Sequence, residues 1–95
     1  MLTPRIASYV RQHFDEADAP LVLDALEDWR IPYEDDPPSE RLTAAVVLAA
    51  GGTLGGVDAA VRLAERDWRD LLVSAGLEHA DWPQLLDRRL GPAAA

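Results

Sequence analysis

The stretch "TLGGVDAAVRLAERDWRDLLVSAG", Thr53–Gly76, decides the fold. Leu54, Val57, Val61, Ala64, Trp68, Leu71 and Ala75 follow one another at spacings of 3, 4, 3, 4, 3 and 4, which stacks side chains on one face of an α-helix. The other side carries Asp58, Arg62, Arg66 and Asp70 at i+4 steps, with Glu65 and Arg69 beside them. Opposite charges at that spacing add about 0.2–0.5 kcal/mol each to an isolated helix. Thr53 is a good N-cap, and Gly76 accepts the left-handed conformation that ends helices. The spacing predicts one continuous helix over 54–75, with Trp68 in the core and Asp67 facing water. The rival reading breaks the helix at Asp67, which would then cap a second segment with Asp70 at its third position.

Upstream, Gly51 and Gly52 stop a preceding helix over 38–50, whose inner face is Leu42, Ala45, Val46 and Ala49. Val47 and Leu48 widen that stripe and predict a central helix. Glu40 falls in its first turn, where the positive dipole end favours an acid. Before it, "RIPYEDDPPSE" reads as a loop by its prolines and lack of periodicity, with 30–37 as its acidic, proline-rich part. A helix over 19–29 starts with Asp18 as cap and Pro20 in the first turn, and buries Val22, Leu23, Leu26 and Trp29; Pro32 prevents its continuation. Thr3–Pro4 opens a helix over 4–15 that turns Ile6, Tyr9, Val10, His13 and Phe14 inward.

Downstream, Asp81, Pro83 and Gln84 form a capping-box start for a helix over 82–90. Trp82, Leu85, Leu86 and Leu90 form its inner face, Arg88 and Arg89 its last turn, and Gly91–Pro92 its stop. Residues 92–95 read as a frayed tail. No window alternates with period two. The expectation is an all-α single domain over 1–95, a bundle of about five helices with no sheet. Its core would hold Trp29, Val46, Leu48, Val61, Trp68, Leu71, Leu72, Leu85 and Leu86. "DWPQLL" (81–86) therefore reads as a helix start and "DWRDLL" (67–72) as a mid-helix core anchor, not as a repeated recognition motif.

Composition narrows the function. The chain has 95 residues, 48% of them hydrophobic, with a net charge of −8; that apolar content supports a packed core. It has no Cys, Lys or Asn, so disulfides, thiol chemistry and thiolate metal sites are out. The bias towards Ala, Arg, Asp and Leu is that of G+C-rich coding. The acidic balance, with no basic cluster, argues against direct nucleic-acid binding. A helix-turn-helix over 67–90 would present Asp81, Trp82, Pro83 and Gln84 to the bases, a poor recognition set. The start "MLTPRIASYV" lacks signal-peptide features, and Ala44–Ala50 falls far short of the roughly 20 residues that span a bilayer. A soluble, cytoplasmic protein is expected.

Candidate chemistry is sparse. "AAGGTLGGVDAA" has the glycines of a phosphate loop but no Gly-Lys-Ser/Thr and no preceding strand. His13 and His79 each lack an i+4 partner for a metal pair. His13 is expected half-buried and His79 exposed. Ser8, Ser39 and Ser74 lie in no nucleophile motif. Tyr33, Glu34, Asp35 and Asp36 are the candidate partner-binding residues; they lack the alternate ligand spacing and glycine of a calcium loop, and Arg41 is a near-sequence partner for them. No catalytic residue, cofactor or metal ligand is assigned.

The strings "PYEDDPPSERL" and "DWRDLLVSAGL" resemble those of small bacterial helical proteins, over about residues 28–91. The resemblance implies a recurring helical domain and brings no activity or ligand with it. The leading expectation is a non-enzymatic, acidic interaction module that binds a basic protein surface or a second copy of itself. The alternatives are an acidic immunity- or antitoxin-type inhibitor of a basic nuclease or nucleic-acid-binding protein, and a small enzyme using carboxylates near Tyr33–Asp36 and Arg41.

Overall fold

A computed structural model describes residues 1–32 and 34–92. Five helices follow in order: α1 (Pro4–His13), α2 (Ala19–Asp28), α3 (Glu40–Ala49), α4 (Leu54–Ala75) and α5 (Trp82–Leu90), with no strand among the described residues. The bundle is the expected one, with helix ends shifted inward by one to two residues at several termini. The helix expected from Pro38 begins at Glu40 because Ser39 is its cap: the Ser39 hydroxyl accepts from the Leu42 N–H at 3.2 Å. Pro38 lies outside the helix and is buried.

α3 is the centre of the bundle, touching α1, α4 and α5, and its longest interface is with α4. Thr43, Ala44, Ala45, Val46 and Val47 are all buried. The Thr43 hydroxyl is satisfied there, accepting from the Met1 amine at 2.7 Å and donating to the Ser39 carbonyl at 3.0 Å. Between α3 and α4 the chain reverses on Gly51 and Gly52, at φ 67° and 81°, values L side chains rarely tolerate. Thr53 then caps α4 as expected, its hydroxyl accepting from the Gly56 N–H at 2.9 Å.

The continuous helix through Asp67 does not hold. Asp67 leaves helical geometry at φ −158°, ψ 96°, and its Oδ1 accepts from the Arg69 N–H at 3.1 Å. It therefore caps a second helical segment inside α4, the rival reading of this residue. Breaking phase there turns Leu71 and Leu72 into the core and Trp68 outward. Trp68 is 42% exposed, with the Arg69 guanidinium 5.2 Å over its ring; it is not a core residue. Asp67→Ala is expected to cost about 1 kcal/mol, the usual value of an N-cap side chain, read as a lowered urea midpoint. An unchanged midpoint would mean that the break needs no cap.

The end of α4 closes on Gly76 at φ 75°. The Gly76 N–H donates to the Val73 carbonyl at 3.1 Å and the Leu77 N–H to the Leu72 carbonyl at 2.9 Å. This paired closure satisfies two terminal carbonyls, and Leu77, which follows it, is buried. The capping box expected at α5 does not form, since Asp81 makes no side-chain cap. The turn is held by backbone instead, with the Trp82 N–H donating to the His79 carbonyl at 3.1 Å. Asp18 likewise makes no side-chain cap on α2.

Of the expected core, Trp29, Val46, Leu71, Leu72 and Leu86 are buried, while Leu48, Val61 and Leu85 are half-buried. His13 is exposed rather than half-buried, and stacks on Tyr9 with ring centroids 4.0 Å apart. No helix among the described residues is long and apolar enough to cross a membrane.

Candidate binding groove between α2 and α4

Of the four residues singled out from the loop, the three described ones are not gathered into a site. Tyr33 lies outside the described residues. Glu34, Asp35 and Asp36 are all exposed, and the Glu34 N–H closes a turn on the Ile31 carbonyl at 3.1 Å. Arg41 turns elsewhere: its Nε and Nη2 donate to the Leu77 carbonyl at 3.0 and 2.6 Å, and its guanidinium lies 5.0 Å over Trp82. Its sequence neighbours thus lose it to the turn between α4 and α5. Among the described residues no cluster of three His, Asp or Glu side chains could hold a metal ion.

The charge distribution is more telling than the loop alone. Residues 15–36 hold nine of the seventeen carboxylates and one of the nine arginines, and the other eight of each lie elsewhere. The whole net charge of −8 therefore resides on α2 and its flanking loops. All these carboxylates except Asp18 are exposed. The asymmetry was readable in the sequence and missed, because total charge was weighed without its position.

Along this acidic helix runs an apolar groove of about 620 Å³, walled by Ala25, Asp28 and Trp29 of α2 and its C-cap and by Leu54, Gly55, Val57, Asp58 and Val61 of α4. Packing explains it. α4 is held against α3, while α2 touches α4 only sparsely. Ala25 and Gly55 supply little bulk to fill the space between them. Trp29 lies at its edge, 6% exposed, and its indole N–H finds no partner among the described residues. Arg30 holds the end of α2, its Nη1 donating to the Trp29 carbonyl at 2.7 Å and the Glu27 carbonyl at 3.1 Å.

Among the described residues, the charged side chains lining the groove are Asp28 and Asp58. Asp58 also pairs with Arg62 at 3.1 Å, but both side chains are well exposed, and such a pair is worth little. A second groove of about 550 Å³ between α1 and α2 is lined by both Arg11 and Glu16, so it has no single sign. What the α2–α4 groove can do chemically is accept an apolar side chain and hold cations at its rim.

The two glycines that open α4 differ sharply. A Cβ on Gly56 would lie 1.9 Å from the Ala50 carbonyl oxygen, whereas one on Gly55 would meet no described residue within 4 Å. Gly55 has no positive φ. Neither space nor backbone conformation therefore requires glycine at 55, although it costs roughly 0.5–1 kcal/mol against Ala in a helix interior. Compared with protein-family models, curated proteins and solved structures, the chain matches none, so a functional reading rests on this geometry.

Proposed function

We propose that the protein is a non-enzymatic interaction module of the cytoplasm that binds a basic protein partner through the acidic surface of α2. The observation that carries this reading is the confinement of the entire net charge to residues 15–36, alongside an apolar groove whose charged lining is Asp28 and Asp58. Separated charge of one sign steers an oppositely charged partner, and apolar area supplies the short-range affinity. The neutral remainder of the chain offers no comparable attraction. An inhibitor of a basic nuclease is the form of this reading in which the covered partner surface is itself a nucleic-acid site.

The test is peptide selection from an unbiased displayed library at low ionic strength, followed by titration with salt. Enriched peptides are expected to be net cationic, and to weaken about tenfold or more as salt shortens the screening length below about 10 Å. Neutral or acidic winners, or affinity indifferent to salt, would overturn the proposal.

A further inference from the structure

We infer that the groove between α2 and α4 takes an amphipathic, basic α-helix from the partner, an inference that rests on the interaction reading above. Both walls are helices, and a helix body uses its backbone groups internally. An extended peptide would find no strand edge there, since no strand occurs among the described residues. A helix brings its own backbone bonds satisfied and needs only side-chain complementarity.

The walls fit that occupant in shape. Leu21, Ala25 and Asp28 share one face of α2 by their i, i+4, i+7 spacing, and Leu21 is 54% exposed at one end of it. On the other wall Gly55 removes the Cβ that would hold a third helix away, and no described residue lies within 4 Å of that position. Packed helices sit about 8–10 Å apart according to the side chains between them, so Ala25 and Gly55 mark where the occupant approaches closest. The walls also fit in charge. Asp28 lines one wall and Asp58 the other, and Asp24 is exposed on α2 beside them. Apolar residues at i, i+3, i+4 and i+7, flanked by Arg or Lys, complement this arrangement.

The experiment titrates the isotopically labelled full chain with a synthetic peptide of about 18 residues, long enough for helix formation, carrying Leu along one face and Arg at its flanks. A scrambled peptide of the same composition and a version with a central proline serve as comparisons. The patterned peptide is expected to shift amides of residues 21–29 and 54–61 and to bind about tenfold or more tightly than either comparison. Gly55→Leu is expected to weaken it about tenfold or more, and the Asp28→Asn/Asp58→Asn pair likewise. Gly55→Ala, which adds only a methyl, shows that a helical α4 is retained and is expected to fall between. Circular dichroism of each variant separates lost binding from lost folding.

Equal binding by all three peptides would overturn the helical occupant while leaving a basic partner in place. So would shifts confined to other faces, or full affinity in a folded Gly55→Leu chain. Failure of all three peptides to bind at low salt would overturn the helical occupant. If the library selection also yields no cationic binder, the proposed function falls with it.

Discussion

Gly56→Ala is expected to destabilise the protein by at least about 3 kcal/mol, beyond ordinary overpacking, because the clash is with backbone. The added methyl carbon would sit 1.9 Å from the Ala50 oxygen, 2.7 Å from the Ala50 carbonyl carbon and 2.9 Å from Thr53 Oγ1. The two closest of these are backbone atoms, which cannot swing aside as a side chain can. Relief would push the start of α4 away from the end of α3, and those two helices share the longest interface in the bundle. The same movement would strain the Thr53 cap on the Gly56 N–H. Small domains have about 5–15 kcal/mol in all, so the variant should unfold at a much lower urea concentration. The neighbouring Gly55→Ala should do the opposite and gain about 0.4–1 kcal/mol, since its methyl meets open space and the unfolded chain loses freedom. Equal midpoints for the two variants would show that the turn between α3 and α4 yields more easily than this geometry allows.

Arg5→Ala should also be costly, by about 2–4 kcal/mol, the range for stranding one partner of a largely buried charged pair. Arg5 is only 10% exposed in its side chain and binds across three helices. Its Nε and Nη2 donate to the two Glu40 oxygens at 3.0 and 2.6 Å, and its Nη1 donates to Asp87 at 2.7 Å and to the Gly91 carbonyl at 3.1 Å. Most of the effect belongs to Glu40, because Asp87 is more than half exposed and screened by water. Arg5→Lys should recover only part of the loss, since an ammonium cannot reproduce the two-pronged contact.

The same network sets an acid dependence. Hydrogen bonding from Arg5 holds the Glu40 carboxyl below its ordinary value of 4.5 against the opposing effect of burial, with Thr3 helping. A carboxyl whose value is depressed on folding stabilises the protein above its unfolded value and loses that contribution as pH falls through the folded one. Stability should therefore drop from about pH 4.5 downward, and this part of the drop should be absent in Arg5→Ala. Urea midpoints measured along a pH series test it; an acid limb unchanged by the substitution would mean that Glu40 does not contribute.

Neither the Gly56 nor the Arg5 effect is disclosed by sequence alone, although other glycines are. Gly51, Gly52 and Gly76 were readable as helix stops, because left-handed backbone at a helix end is a local demand that glycine meets without neighbours. That Gly56 is indispensable and Gly55 free of constraint was not readable, since the difference is the position of the Ala50 carbonyl across the turn. Arg5 was passed over for a related reason. One arginine among nine has nothing in its local sequence to show that Glu40 and Asp87 will arrive beside it.

The alternation of apolar and polar residues by itself determined five helices, their order, a central α3 and the absence of a period-two signal. Those are consequences of 3.6-residue geometry, proline, glycine and caps, all of which act over a few neighbours. Only the tertiary structure decided which way Trp68 faces. The spacing through Trp68 is unbroken, and both a straight helix and one restarted at Asp67 satisfy it locally. The choice falls to packing: with the helix restarted at Asp67, Leu71 and Leu72 are buried and Trp68 faces outward. The α2–α4 groove is of the same kind: it exists because α4 is held by α3 while Ala25 and Gly55 leave the space unfilled, a relation between residues thirty positions apart.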